Sequence, residues 1–576
     1  MRTIERKLTI PFVLWTLLAL GLGFLLRYHN LDVRPFHHDE SLHATYGLYY
    51  YTDAKNLFYH YDPMLHGPLL YNLLPWSYHF FGVSKWSARL LTMLFSLVPL
   101  IAPLFFRQKL GNRRTVEIIL LLALSPSLIY WGRFLRHDLL MLAFTCTLVI
   151  STVLIHDWSR QLLFWCSLGL AFCVKENSYV HALLILIFLI YEYIISTKRS
   201  VEPYLSRIFP WFSSAPIPLF FGIVLAIASC AYFYSAGFVY PEGILDGLYR
   251  KSLSYWVQQH HQERISGPFS YSFLFLSWYE IPLLFLMVIY YIHNFFSSTL
   301  KTKFTYLLVI LLGVLTHWGM EHHFSREFLS TWLKLKIPLD AYLFWIFLIS
   351  GIGFTTKHLL DRRQDLALLS YSFFSLLFTY SYLGEKVPWL TMYFIVVGYI
   401  YFWIYIRQLI GRWPSSIAMV IFLSVNILLA IQINFLDSHQ AQELISQVHT
   451  SKSYEDLSNS LAQELEQTHS SILALDSNTW PLTWFLYGKE GYVFNPDVSD
   501  ASNYQHVLVD LPDLEWEQKL SSTHAREIIP LRYWWWPDFE KMNFKNYFWY
   551  LFTREGWNPN GQKFISHYYL RPTIEQ

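Results

Sequence analysis

Charge is what this sequence has least of. Only 15% of its 576 residues are Asp, Glu, Lys or Arg, while 54% are hydrophobic and 19% aromatic. An ordinary soluble domain carries about 25% charged residues, so this chain has too little polar surface to wrap a large water-soluble globule. Its apolar content equally excludes a disordered or collagen-like chain. Cysteine is sparse as well: Cys146, Cys166, Cys173 and Cys230 all sit in apolar runs, which excludes a disulfide scaffold. Neither sign of charge dominates, since 43 basic and 41 acidic residues leave +2, and no bulk affinity for nucleic acid follows. A Walker loop, a GxGxxG fingerprint and a GxSxG elbow in helical context are all missing, which leaves cytoplasmic ATP or NAD chemistry unsupported.

The few charges are unevenly distributed. The 141 residues from Leu436 onward hold 19 acidic and 10 basic residues, close to the soluble norm, whereas the 435 before them hold only 55 charges. Net charge divides too, +11 for the first part and −9 for the tail. The division predicts an all-α polytopic membrane domain over 1–435 and a small soluble α/β domain over 436–576.

Membrane helices need about 20 predominantly apolar residues. Such stretches run at 9–27, 86–106, 116–131, 138–155, 160–174, 178–196, 216–235, 271–296, 304–319, 338–356, 366–383, 388–406 and 414–435, thirteen in all, or eleven to twelve if short neighbours merge. The first follows Arg2, Arg6 and Lys7 without a small-residue cleavage site and reads as an uncleaved anchor. With the N-terminus cytoplasmic, every inner loop is basic: Arg107 to Arg114, Arg160, Lys198 to Arg207, Lys301 and Lys303, Lys357 to Arg363, and Arg407 with Arg412. This alternation puts the acidic tail and the segment 28–85 outside the cytoplasm, and with them the junctions 131–138, 175–178, 236–270, 320–337 and 384–388. The expected location is multi-pass in the plasma (inner) membrane.

The unusual chemistry falls in that outer set. His37-His38-Asp39-Glu40-Ser41-Leu42-His43 directly follows the first span, and adjacent carboxylates at a membrane boundary need a partner or a task. A solvated loop is the bland explanation; the Tyr-rich stretch from Tyr46 to Tyr51 favours an interfacial acidic site. Farther on, Asp62-Pro63 and His66-Gly67-Pro68 mark a turn before a helix, whose N-terminus would favour an anion near His66. Arg133 and Arg136 beside Asp138 run against the positive-inside trend and ask for an anionic partner, although pairing with Asp138 would also satisfy Arg136. Lys175-Glu176 and Glu385-Lys386 repeat the theme, so that Arg133, Arg136, Lys175 and Lys386 could surround one anionic lipid headgroup. A divalent metal held by His38, Asp39 and His43, joined by His37, Glu40 or Glu321-His322-His323, is the competing reading, though no closed metal motif is present.

The Asp-Glu pair after the first span, the element His66-Gly67-Pro68-Leu69-Leu70-Tyr71 and the many-span body resemble the GT-C glycosyltransferases. The nearest branch is that of the protein O-mannosyltransferases and aminoarabinose transferases, glycosyltransferase family 39. A narrower resemblance, to a prokaryotic flippase-activity-associated membrane family, rests on His38-x-Glu40, Asp62-Pro63, Arg136-His137-Asp138, Lys175-Glu176, Glu385 to Trp389, and Trp480-Pro481-Leu482-Thr483-Trp484. The resemblance implies transfer of a sugar from a polyprenyl-phosphate donor to an extracytoplasmic protein, lipid or glycan acceptor, with no obligatory cofactor. It makes Asp39 the base, Glu40 its neighbour and Asp138 a second acid, with Arg133, Arg136, Lys175, Lys386 and His66 as donor-phosphate contacts. A lipid-linked oligosaccharide flippase or its accessory protein is the alternative, and a membrane scaffold the third class. A transporter places ionisable groups near the midplane within internal repeats, and neither is evident here.

In the tail the sequence predicts a helix over 440–468, strands at Ile472–Asp476, Tyr492–Phe494, His506–Val509 and Ile528–Tyr533, and a helix near Trp480–Tyr487. The run Tyr533-Trp534-Trp535-Trp536-Pro537 suits sugar stacking, the interface or core packing equally.

Overall fold

The structure is a computed structural model, which describes residues 9–53, 57–154, 156–210, 216–259, 265, 267–297, 307–314, 339–409, 412–436, 440–468, 470–475, 480–494 and 500–571. Among these, seven helices are long and apolar enough to cross a membrane, or nine if each of two bent pairs is one span. Helix lies at each of the thirteen predicted stretches, that at 304–319 being described only over 307–314. Several are too short or too polar over the described residues to count as full spans by length and composition. The first span, Ile10–Tyr28, carries no acidic residue and turns bare apolar side chains outward, with Leu14, Trp15, Leu17 and Leu18 all more than half exposed. In water that belt would be unstable; in lipid it is the expected surface.

The two bends have a common cause. Asn112–Ala123 and Pro126–Gly132 meet at 60°, Tyr271–Tyr279 and Ile281–Phe296 at 118°. Prolines at 126 and 282 open the second helix of each pair, where their missing N–H costs nothing. The fully buried Glu280 then accepts from Ser125 Oγ at 2.6 Å, Ser127 N at 3.0 Å and Tyr399 Oη at 2.7 Å. One carboxylate thereby ties both broken helices to the helix at 388–407 and satisfies backbone freed by a break.

Between the first span and the next lie two helices, His38–Thr52 and Leu69–Phe81. The first is opened by a capping box: His37 Nδ1 accepts from Asp39 N, and Glu40 Oε2 from His37 N. The turn before the second docks on the backbone after residue 172, through Gly67 N to Val174 O at 3.0 Å and Leu69 N to Cys173 O at 2.9 Å. A Cβ at Gly67 would lie 2.3 Å from the Cys173 oxygen, so only glycine permits this approach.

The tail forms a six-stranded mixed sheet in the order β1-β5-β6-β4-β2-β3. Its strands are β1 (His449–Thr450), β2 (Ile472–Ala474), β3 (Tyr492–Phe494), β4 (His506–Asp510), β5 (His524–Trp534) and β6 (Gly561–Leu570), with β2 parallel to both β3 and β4. The α/β expectation holds; β1 and β6 are additions, and the helix predicted over 440–468 begins only at Lys452. This domain does not stand apart from the membrane part. Glu455 accepts from Lys85 Nζ at 2.7 Å and from Phe36 N, Glu443 from Tyr279 Oη at 2.7 Å, and Arg554 donates to Trp278 O at 3.2 Å. The aromatic run is core at Trp535 and Trp536 and exposed at Trp534: Trp535 is 2% exposed between Tyr550 and Trp557, and Trp536 stacks on Tyr271 with ring centroids 5.6 Å apart. Trp535→Ala removes the centre of this seam and should cost ~3–5 kcal/mol. A lowered melting temperature in detergent, with earlier proteolysis of the tail, is the expected result.

Candidate active site

Four charged side chains form a chain on one side of the first outer helix. Asp39 Oδ2 pairs with Arg136 Nη1; Arg136 Nε reaches Asp138 Oδ2 at 3.3 Å; Lys175 Nζ lies 3.0 and 2.9 Å from the two oxygens of Asp138. Tyr393 Oη also donates to Asp138 at 3.2 Å, and the Arg136 guanidinium lies 3.7 Å above the Trp389 ring. Asp138 is fully buried, Arg136 and Lys175 nearly so, while the Asp39 side chain keeps 32% of its surface exposed. Asp39, Arg136 and Lys175 line a cavity of about 290 Å³ together with His38, His43 and His66.

Each member is placed by local backbone. Asp39 sits in the first helical turn after His37, whose Nε2 bonds the Gln447 carbonyl at 2.7 Å. Arg136 and Asp138 bracket the start of the helix His137–Val153. Lys175 follows the strip that binds Gly67, which also brings His66 Nδ1 to 2.9 Å from Glu176 Oε2. Asp39 feels two opposed effects. Burial, the largest single effect, raises its carboxyl, and Arg136 together with His37, His38 and His43 outweighs it and holds it well below the usual carboxylate range. Burial pushes His43 down to about 3, reinforced by His66 and Arg136, so its imidazole is neutral at physiological pH. Its Nδ1 is engaged by the Tyr71 hydroxyl at 2.6 Å, and its ring lies 4.8 Å from that of His137.

Three predicted site residues are elsewhere. Glu40 does not line the cavity: it is fully buried and grips Arg89 bidentately, at 2.8 Å to Nε and 2.7 Å to Nη2, while accepting from Leu135 N at 2.8 Å. Arg133 points to the end of the first span, donating to the carbonyls of Leu26 at 3.1 Å and Asn30 at 2.8 Å. Lys386 turns inward and donates to the carbonyls of Ser381, at 2.6 Å, and Leu383; its neighbour Glu385 lines the cavity instead. The expected four-cation ring is therefore reduced to Arg136 and Lys175, with His66 at the edge.

The sequence reading missed Arg89, Trp389 and the contribution of the tail, where Gln447 and Val448 form part of the cavity wall. Arg89 was open to discovery, since an arginine inside an apolar stretch demands a buried partner. For the metal alternative, no group of three or more His, Cys, Asp or Glu among the described residues is arranged to hold a metal ion. Glu321-His322-His323 lie outside the described residues.

Residues 65–215 match the family model for dolichyl-phosphate-mannose-protein mannosyltransferase. That segment contains Arg136, Asp138 and Lys175, and Asp39 precedes it. No curated protein matches the chain. Among solved structures the chain is similar to ArnT from Cupriavidus metallidurans bound to undecaprenyl phosphate, at 12% identity and TM-score 0.45, over 96% of this chain and 97% of that one. It is also similar to the archaeal oligosaccharyltransferase AglB from Archaeoglobus fulgidus, in complex with an inhibitory peptide and a dolichol-phosphate, at 13% identity and TM-score 0.45, over 87% and 69%. Both scores lie under 0.5, so neither structure bears on function; the geometry of the site and the matched segment do. None of these matches is described as a flippase.

The Glu40–Arg89 pair yields its own test. Burial alone would raise the Glu40 carboxyl; Arg89 and Arg34, with the Leu135 amide, override it and hold it at about 2. A depressed carboxyl stabilises above its unfolded value of about 4.5 and loses that contribution as pH falls toward 2. Glu40→Gln leaves Arg89 buried without its charge partner and should cost ~3–5 kcal/mol at neutral pH. Melting followed from pH 7 to 3 should show the wild type losing stability below about 4.5 and the variant largely spared that loss.

Proposed function

We propose that the protein is a membrane glycosyltransferase that moves a sugar from a polyprenyl-phosphate-linked donor to an acceptor on the extracytoplasmic side. The observation that carries this reading is a partly exposed carboxylate, Asp39, held against a cation, Arg136, at the wall of a cavity beside the membrane boundary. The match of residues 65–215 to a mannosyltransferase family supports the same class of donor. The basic inner loops support an orientation with the N-terminus cytoplasmic and the cavity and tail outside, in a protein proposed for the plasma membrane.

The electrostatics give the site a way to turn on. With Arg136 paired, Asp39 is ionised but a poor base, because its proton affinity is far below that of a group matched to neutral pH. A donor phosphate entering the cavity competes for the same guanidinium, for which bidentate phosphate binding is favourable. As Arg136 turns toward the phosphate, Asp39 loses its counter-charge and its basicity rises. The acceptor atom then attacks the anomeric carbon as the bond from that carbon to the phosphate oxygen breaks with its electron pair on the phosphate, and the acceptor's O–H or N–H proton passes to Asp39 as the new bond completes. Positive charge develops on the sugar near Asp39, and negative charge on the phosphate near Arg136 and Lys175. Both interactions strengthen toward the transition state, which is what accelerates the reaction. One carboxylate suffices and no sugar–enzyme bond is formed, so the anomeric configuration inverts. Asp138 acts through Arg136 and Lys175, which it positions.

Asp39→Asn should lower sugar transfer in reconstituted vesicles by ~10²- to 10⁴-fold while donor binding persists; unchanged transfer would remove Asp39 from the mechanism. The competition for Arg136 also predicts a pH signature. Donor binding raises the Asp39 carboxyl, so the acidic limb of kcat should lie at higher pH than that of kcat/KM. Arg136→Gln should move the kcat/KM limb upward toward the ordinary carboxylate range. Coincident limbs in the wild type would show that the phosphate does not take Arg136 from Asp39.

A further inference from the structure

A second and larger cavity, about 510 Å³, lies between the end of the first span and the end of the last described one. Its wall includes Leu25, His29, Arg34, Arg133, Ile431 and Phe435. Nothing in the reaction proposed above uses it. Leu25 and Ile431 at its rim are 59% and 42% exposed on the apolar surface, so the cavity borders the lipid-facing side.

Positive charge exceeds negative charge around its walls. Arg34 and Arg133 are each 5% exposed, and Arg27 and Arg89, close by, are fully buried. Against these four guanidiniums stand two buried carboxylates: Glu40, which Arg89 grips on both oxygens and with which Arg34 makes a longer ion pair at 3.8 Å, and Glu455, which is taken up by Lys85 at 2.7 Å. Asp32, beside Arg133, is exposed. Arg133 and Arg27 donate to backbone carbonyls and, among the described residues, form no ion pair. Arg34 donates from Nη2 to the Arg133 carbonyl at 2.9 Å, while its Nε is buried without a hydrogen-bond partner and its guanidinium lies 4.6 Å above the Tyr130 ring. Burial first, then repulsion from Arg34 and Arg89, push the Arg133 guanidinium toward losing its proton. Burying one unpaired charge is costly, and gathering several beside an open cavity is tolerable when an anion fills it.

We infer that this cavity binds the phosphate group of an anionic lipid, with Arg34 and Arg133 on the phosphate and the acyl or prenyl chain leaving past Leu25 and Ile431. A phosphate monoester or diester suits the guanidinium fork, and a lipid is the form in which it can enter from an apolar rim. Two sources share this chemistry: a phospholipid of the bilayer and a polyprenyl monophosphate.

Native mass spectrometry of the purified full-length protein separates them, by titration with phosphatidylglycerol, a polyprenyl monophosphate and phosphatidylcholine, each alone. The test variant is Leu25→Trp combined with Ile431→Trp, which fills the cavity from its exposed rim and leaves every arginine and the Asp39 cavity in place. One equivalent of at least one anionic lipid should bind the wild type at least tenfold more tightly than this variant, with phosphatidylcholine showing no difference. Whichever anionic lipid discriminates identifies the source. Arg133→Gln should abolish the preference for anionic over zwitterionic lipid; if that variant does not fold, the filled cavity decides alone. Equal binding of both anionic lipids to wild type and filled variant, or an undiminished anionic preference in a folded Arg133→Gln protein, would overturn the inference.

Discussion

The contact between Glu40 and Arg89 fixes more of this molecule than any other. Arg89 does not stop at the carboxylate: its remaining N–H groups reach the carbonyls of Leu31, Arg34 and Pro35, so it also gathers the chain that leaves the first span. Glu40 in turn accepts from Leu135 N, one residue before Arg136. The pair therefore holds both Asp39 and Arg136 from behind, through their sequence neighbours. Its geometry is bidentate and its oxygens are otherwise occupied by amides, which is the condition under which a fully desolvated ion pair is sustained.

This arrangement explains which parts of the site were legible in the sequence. Charges at a membrane boundary are expensive, so Asp39, Arg136, Asp138 and Lys175 stood out against an apolar background, and the structure brings those four together. What sequence could not resolve is rotation. Adjacent residues on a helix are about 100° apart, so of Asp39 and Glu40 one faces the cavity and the other the core, and composition does not tell which. The same ambiguity exchanged Glu385 for Lys386. Arg133 and Lys386 were assigned to the donor phosphate because they are cations at the right depth; both instead lie outside the wall of the Asp39 cavity and donate to backbone carbonyls, a use of a buried donor that leaves no pattern in the sequence.

The fold was legible to a similar depth. Low charge located the membrane part, and alternating runs found four of the six strands. β1 has only two residues, too short for a period, and β6 runs half-buried, then fully buried, then exposed, without the alternation of a two-faced strand. The tail's contacts with the membrane part were hidden for a related reason. Its charge content is that of a soluble domain, yet Trp535, Trp536 and Tyr550 are spent on a seam with Tyr271, Trp278 and Tyr279. Composition counts such aromatics without revealing which surface they cover.

Gln447 and Val448, at the cavity wall, come from the segment that follows the last span, while Asp39 comes from the segment that follows the first. More than 400 residues separate these walls, and every membrane helix between them must be inserted before they meet. A ribosome-bound chain therefore holds the charged residues of the centre long before it holds the enclosure around them. The cavity is therefore closed only once the segment that follows the last span is in place.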